Sequence, residues 1–365
     1  MSSLIASACF EIEWISKVRK KYPQADPGLI EKVIYAFELL GLLAASEGDF
    51  IFKGGTSMLL LVEQPRRLSI DIDILGAVGN FDFRKMINHT VFHRYELSDR
   101  QPGVVSKSHY KFFYLSKVNQ REDYTLLDVV ESDNPYGKII SKDINCGFFW
   151  TDRPIKIQMP TTECLLGDKL TAFAPNTIGV PYMVNKSMAI IKQLIDLDDL
   201  FMASSNINDI VETYQKTFAI ENQFRNNQFT LDEVMADTLE TCFLLSQLDL
   251  KNSKENEKTE ELRQGIRQVS SHLLNSRYSL PHAKISAAKM AYLISLIKYK
   301  PADGAALGIR HDPEKISELN LIYQAGRYSI LNKLRGFLPE AYYYWYLALA
   351  ILNEQSKIIE HEDRR

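Results

Sequence analysis

Residues 52–75 read FKGGTSMLLLVEQPRRLSIDIDIL, and this stretch decides the fold and the chemistry that the chain predicts. Its pattern favours a strand, a glycine turn, a helix, a loop and a second strand. Asp71 and Asp73 are expected inside the second strand, where isoleucines flank and separate them. Side chains two residues apart share one face of a strand, so both carboxylates should point the same way while the opposite face is buried.

The two acids predict a metal site. Two carboxylates this close repel each other unless a cation lies between them. Carboxylate oxygens are the ligands that Mg²⁺ prefers, and substrate phosphates usually complete its coordination shell. We therefore interpret Asp71 and Asp73 as ligands of Mg²⁺ or Mn²⁺ in a site that handles a nucleoside triphosphate. The alternative is a D-x-D pattern on a solvated strand face, which is common in proteins.

A phosphate-binding turn is predicted ahead of the acids. Gly54, Gly55 and Thr56 come just before a helix-like run. Glycines let the backbone approach a phosphate, and a helix N-terminus supplies free N–H groups for an anion. Thr56 can cap that helix or bond a phosphate oxygen. Arg67 and Ser69 add donors, and an ordinary strand-to-helix turn followed by a solvated loop is the alternative interpretation.

Composition predicts a globular protein of two or three domains. The chain has 365 residues, of which 45% are hydrophobic and 24% are charged. A net charge of −3 argues against a generally basic protein that coats nucleic acid, so any RNA contact would come from local patches. The four cysteines form no C-x-x-C pair. We expect a cytoplasmic protein without a signal peptide or a membrane span.

The first part of the chain predicts an α/β domain, residues 1–160, with a short mixed sheet backed by helices. An aspartate–proline pair begins a helix that should run from residue 27 to about residue 45. Alternating residues over 110–117 and 124–131 predict a hairpin. Asp128 falls in its second strand and could simply face solvent.

The second part, residues 161–365, predicts an all-helical domain, because helical spacing dominates to the end of the chain. Beyond the first helix, runs are expected near 186–203, 207–219, 230–249, 257–275, 282–299, 313–320, 327–336 and 339–359. No repeat of 20–50 residues is visible.

The opening stretch resembles the nucleotidyltransferase fold family, whose signature is a glycine turn, a short helix and then D-x-D. Within that superfamily it is similar to the AbiEii/AbiGii toxins of type IV toxin–antitoxin systems, which carry GGT, a helix and then R-x-S-x-D-[ILM]-D. The matching residues after the GGT turn are Arg67, Ser69, Asp71 and Asp73.

A second block supports the resemblance. ECLLGDKLTAFAPNTIGVPY and KQLIDLDDLF are similar to a later signature of the toxin family, and place its lysine at Lys169 and its second acid at Asp196. Gln193 stands where the family pattern has its first acid. Together the resemblance covers roughly residues 27–203.

Lys169 lies on a mostly apolar helix, so it needs a partner. Its compact ammonium suits a triphosphate, and Asp196 could orient it or accept the proton of the attacking hydroxyl. A structural salt bridge between two helices is the alternative. The next acids, Asp198 and Asp199, are expected on the solvent side.

The resemblance implies a nucleotidyltransferase domain followed by a helical domain that contributes Lys169 and Asp196 to a cleft between them. It implies Mg²⁺-dependent transfer of a nucleoside monophosphate from an NTP, most plausibly to a tRNA 3′ end, by a toxin that a cognate antitoxin neutralises. Asp128 would be the third acid, as a metal ligand or as the base. A protein acceptor, a small molecule such as an aminoglycoside, or a non-catalytic nucleotide-binding regulator are the alternatives. Gln193 leaves some room for the regulator.

Overall fold

A computed structural model describes residues 3–46, 48–101, 106–274, 277–299, 311–322 and 326–362. The chain forms two compact units, and the first division between them falls within a helix, α5 (Thr162–Thr171). The first unit comprises Met1–Leu165 and Ser271–Arg277. The second comprises Leu166–Ser270 and Tyr278–Arg365.

The first unit contains the mixed sheet that the sequence predicts. Five strands lie in the order β1-β2-β5-β4-β3, with only β2 and β5 parallel to each other. Their bounds are β1 Phe50–Lys53, β2 Ile72–Gly76, β3 Arg94–Gln101, β4 Ser106–Leu115 and β5 Glu122–Glu131. A separate antiparallel pair is formed by β6 (Ile139–Asp143) and β7 (Lys156–Pro160).

Four helices precede α5 in this unit: α1 Ile12–Lys21, α2 Pro27–Ala45, α3 Gly54–Leu61 and α4 Phe83–Ile87. The start of α2 is fixed as the sequence predicts, because the Asp26 carboxylate accepts a hydrogen bond from Leu29 N at 3.1 Å and Pro27 occupies the first turn. Apolar side chains of α2 and of one sheet face form a single buried core. Side chains alternate along each strand, so the opposite sheet face carries Lys53, Asp73, Asp128 and His109.

The structure corrects three local expectations. β2 begins at Ile72, so Asp71 directly precedes the strand instead of lying inside it. The first helix of the opening stretch begins at Gly54, earlier than expected. Residues 81–92, whose pattern predicts one helix, form only the short α4, and a positive φ of 63° at His89 follows it. One helix would have put His89 and His93, four residues apart, on a common face, but both lie beyond the end of α4.

The chain returns to the first unit after leaving it. Leu68 N donates to His272 O at 2.7 Å, and Leu274 N donates to Arg66 O at 2.9 Å. These bonds form an isolated antiparallel bridge between Arg67 and Leu273. The loop that carries the arginines ahead of the acids is thus held by residues from much later in the sequence.

The described residues of the second unit form helices and the loops between them. After α5 its α-helices are α6 Ser187–Ala203, α7 Ile207–Gln223, α8 Leu231–Gln247, α9 Glu257–Gln268, α10 Leu280–Tyr299 and α11 Pro339–Glu362. The end of the run predicted over 257–275 and the runs predicted near 313–320 and 327–336 form 3₁₀ helices, over 269–272, 313–318 and 327–336. The long helix α10 packs against α6, α8 and α11 and forms the centre of this unit.

A buried ion network lies within the second unit. Lys289 Nζ is 3.0 Å from Asp198 Oδ1 and 3.0 Å from Glu340 Oε1. Ser286 Oγ donates to Asp198 Oδ2 at 2.9 Å. The expectation that Asp198 faces solvent is wrong, because it joins α6 to α10, and Lys289 carries the connection on to α11.

None of the helices in the described part of the chain combines the length and the apolar character needed to cross a bilayer. All four cysteines are free thiols, and Cys9, Cys164 and Cys242 are buried.

Candidate active site

The glycine turn and the D-x-D segment touch each other in the first unit. Strands β1 and β2 pair with Lys53 opposite Asp73, which brings the end of one strand to the start of the other. Gly54 has a φ of +78°, and a Cβ built on it would lie 1.9 Å from Asp73 Oδ2. The Asp73 carboxylate therefore lies directly against the turn backbone, where no residue with a side chain fits.

The arginine and serine ahead of the acids lie against the same turn. A Cβ at Gly55 would be 2.7 Å from Ser69 Oγ and 2.9 Å from Arg67 Nη2. Arg67 is buried, and its Nη1 donates to Leu68 O at 3.0 Å. The structure thus brings Gly54, Gly55, Arg67, Ser69 and Asp73 into one small volume at the N-terminus of α3.

Thr56 does not have the capping role that its position in the sequence suggests. It is fully buried, and its hydroxyl donates to the Asp71 carbonyl oxygen at 2.6 Å. The N-cap of α3 is Lys53, with no side-chain capping bond, so Thr56 does not cap the helix. Its hydroxyl instead fixes the backbone of the first acid against the helix.

A row of ionisable side chains crosses the sheet on its polar face. Asp73 is paired in register with Lys53 on β1 and with Asp128 on β5, and Asp128 is paired with His109 on β4. Side chains at paired positions lie on the same sheet face. His109 Nδ1 is 2.6 Å from Asp128 Oδ1, and these side chains are 34% and 29% exposed. Asp128 therefore neighbours the D-x-D strand, as the sequence suggests, and has a histidine partner that the sequence did not reveal.

The donor set fits a magnesium ion that is shared with a substrate. In the described ranges no group of three or more His, Cys, Asp and Glu side chains is arranged to hold a metal ion. Asp71 and Asp73 are both half-buried and lie two residues apart. Mg²⁺ is commonly held by one or two carboxylates together with substrate phosphates, and the adjacent turn is suited to those phosphates.

Lys169 and Asp196 form a buried ion pair within the second unit. Lys169 Nζ on α5 is 2.8 Å from Asp196 Oδ2 on α6, and the two side chains are only 6% and 2% exposed. The same ammonium donates to Gln193 Oε1 at 3.4 Å. Gln193 stands where the family pattern has an acid, so the ammonium meets a neutral acceptor at that position. The carboxylate that pairs with the lysine is that of Asp196.

The loop that follows α5 is anchored by an acid that the sequence did not single out. Asp237 on α8 accepts hydrogen bonds from Asn176 N at 2.7 Å and from Thr177 Oγ1 at 2.9 Å, and the Asn176 side-chain amide also donates to it. Burial raises the pKa of the Asp237 carboxyl, and these hydrogen bonds lower it in part. The NTIGVPY segment is thereby fixed onto α8.

Residues 39–281 match the model described as nucleotidyl transferase AbiEii toxin, type IV toxin–antitoxin system. The chain belongs to the AbiEii family. The match covers more than half of the chain and includes every predicted site residue from Gly54 to Asp196. The predicted enzyme class, nucleotidyltransferase, is confirmed, and membership of the AbiEii family implies an NTP substrate and an antitoxin partner.

Two solved structures are similar to part of the chain. The chain is similar to JHP933 from Helicobacter pylori, with 15% identity, a TM-score of 0.35, and coverage of 66% of this chain and 92% of that one. A proposed nucleotidyltransferase from H. pylori gives 16% identity, a TM-score of 0.34, and coverage of 66% and 93%. No curated protein matches the chain.

Proposed function

We propose that this AbiEii-family toxin transfers a nucleoside monophosphate from an NTP to a tRNA 3′ end in a Mg²⁺-dependent reaction, and that a cognate antitoxin neutralises it. The observation that carries the proposal is the contact between the glycine turn and Asp73 Oδ2. It sets a carboxylate suited to a metal beside backbone that is suited to phosphate. A triphosphate and its cation require these two features side by side.

The residues of the first unit have separate tasks in this proposal. Gly54 and Gly55 let the site side chains lie against the turn. The terminal phosphates would bind beside them at the N-terminus of α3, where N–H groups and the helix dipole favour an anion. Asp71 and Asp73 would hold Mg²⁺ or Mn²⁺, which when bound neutralises charge that develops on the phosphate oxygens. Thr56 acts indirectly, since its hydroxyl fixes the Asp71 backbone.

Arg67 and Ser69 border the turn, so they are the side-chain donors nearest to the proposed phosphates. Lys169 would bind the triphosphate, and Asp196 would orient its ammonium. The 2.8 Å ion pair supports an orienting role for Asp196, because a buried lysine that has a fixed partner also has a fixed direction. Positioning and cations of this kind supply most of the catalysis in nucleotidyl and phosphoryl transfer.

Asp128 is proposed as the proton acceptor for the attacking hydroxyl. Its register pairing with Asp73 supports this role, because a further acid then lies on the same sheet face beside one of the proposed metal ligands. A general base must lie within hydrogen-bond reach of the proton that it removes.

The test is transfer by the purified full-length chain. Total RNA is incubated with Mg²⁺ and each α-³²P-labelled NTP in turn, and we expect a labelled band of tRNA size. Asp71→Ala and Asp73→Ala should abolish labelling, while Asp133→Ala, which changes an exposed acid of the same unit, should leave it unchanged. Labelling that survives both site variants would remove the metal hypothesis.

Other outcomes separate the alternatives. Label that appears on protein or on an aminoglycoside would show that the acceptor is that molecule and not tRNA. NTP binding without any transfer would favour a non-catalytic regulator. The antitoxin is tested by co-expressing the product of a neighbouring gene, which should relieve growth inhibition and block labelling in vitro. A neighbour that changes neither would contradict the antitoxin part of the proposal.

A further inference from the structure

We propose that His109 is a positioning residue that holds Asp128 ready to take the proton from the acceptor hydroxyl. This inference rests on the proposed nucleotidyl transfer and adds a residue to it. Nothing in the opening stretch or in the later signature points to residue 109, because it lies on a strand of the hairpin between the two.

The first support is geometry. His109 Nδ1 lies 2.6 Å from Asp128 Oδ1, which is a short hydrogen bond for a nitrogen–oxygen pair. An ionised carboxylate can only accept, so Nδ1 carries the proton and donates. The two residues are cross-strand partners on β4 and β5, and the sheet register therefore holds the imidazole in place.

The second support is the identity of the oxygen that is engaged. The described residues direct a donor at Oδ1 of Asp128 and none at Oδ2. The Asp128 side chain as a whole is 29% exposed. One oxygen is thus fixed by His109 while the other is available to a substrate hydroxyl.

The third support is the neighbour on the other side. Asp73 pairs with Asp128 across β2 and β5, so the base that is proposed lies beside the proposed metal ligand. Two carboxylates at neighbouring positions repel each other and would rotate apart without a restraint. A hydrogen bond from His109 gives Asp128 that restraint.

In the step that follows, the acceptor O–H bond breaks and its proton passes to Asp128 Oδ2. The acceptor oxygen forms a bond to the α-phosphorus, and the bond from that phosphorus to the bridging oxygen breaks. Pyrophosphate leaves with the electron pair of that bond. Asp128 later returns the proton to solvent, and His109 keeps its own proton throughout.

The test compares His109→Ala, His109→Asn, Asp128→Asn and a control, Asp99→Ala. Asp99 pairs with His109 in the β3–β4 register and is exposed, and the described bond of the His109 side chain goes to Asp128. We expect His109→Ala to lower kcat by about 10- to 100-fold with KM for the NTP within about twofold. His109→Asn should recover most of kcat, because its amide nitrogen replaces Nδ1, and Asp99→Ala should match the wild type.

Two results would overturn the inference. One is a His109→Ala enzyme with unchanged kcat, which leaves the proposed function intact if Asp71→Ala is inactive. The other is independent of activity: long-range ¹H–¹⁵N spectra of the His109 imidazole should show a protonated Nδ1 that shifts in Asp128→Asn. Spectra that are identical in the two proteins would refute the pairing even if no acceptor is labelled.

Discussion

Replacing Lys169 by methionine should destabilise the second unit by about 3–5 kcal/mol, because it removes the ammonium that the buried Asp196 carboxylate contacts. The ion pair is 2.8 Å long and its side chains are 6% and 2% exposed. At an effective dielectric constant of about 20, charges at that distance attract by roughly 6 kcal/mol, and the cost of removing both from water offsets most of this. The loss of one partner therefore costs far more than the loss of both.

The assay is urea unfolding of Lys169→Met, Asp196→Leu and the double variant. With a dependence of roughly 2 kcal/mol per molar urea, each single change should lower the midpoint by roughly 2 M. The double variant should recover most of that loss. Lys216→Met is the matched control, since the Lys216–Glu212 pair is 2.7 Å long but about half exposed, and its removal should cost about 1 kcal/mol or less.

Transfer activity of the double variant then distinguishes a catalytic role of Lys169 from a purely structural one. If Lys169 binds the triphosphate, the double variant folds but transfers no nucleotide. If the pair only joins α5 to α6, the double variant recovers transfer together with stability. A double variant with wild-type kcat and KM would refute the role proposed for the lysine, and single variants of wild-type stability would refute the reasoning from burial.

Three further predictions follow from single contacts. Gly54→Ala should abolish transfer and destabilise the chain, since its Cβ would meet the second acid of the D-x-D segment at 1.9 Å, while Gly79→Ala has open space and should be neutral in both assays. Thr56→Val should cost about 1–3 kcal/mol in urea unfolding by leaving the buried Asp71 carbonyl contact unmade, and Thr56→Ser should not; equal stabilities would contradict this. Burial lowers the pKa of Lys284 to about 8, so it loses its proton in the folded state before it does so unfolded, and stability should rise between that pKa and the ordinary value of 10.5. Lys284→Met should lack this rise in unfolding curves at pH 8 and pH 10, and parallel curves would refute the assignment.

Much of the fold was accessible from sequence because local signals agreed with tertiary packing. The helix α2 begins at its proline and ends at Ala45 as predicted, since a capping acid and a long apolar stripe both define it. Strand β3 gave no such signal. Its side chains are exposed wherever they are described, so they lack the alternation that burial imposes, and it exists as a strand through pairing with β4.

The features of the candidate site likewise fall into those that local sequence predicts and those that depend on tertiary structure. The contact between the glycine turn and the D-x-D segment joins residues that are close in sequence, so a local reading could predict it. The partnership of Asp128 with His109 depends instead on which residues of β4 and β5 lie opposite each other, and a shift by one residue would separate them. The burial of Thr56 likewise depends on how α3 docks on the strand after it.

The bonds between Arg66–Leu68 and His272–Leu274 have a consequence for synthesis. During translation the loop ahead of the acids emerges early, while its backbone partners are still unmade. The whole of Leu166–Ser270 must leave the ribosome before those hydrogen bonds can form. A nascent chain therefore completes the loop ahead of the D-x-D segment late, and most of the elongation time passes before the first unit is finished.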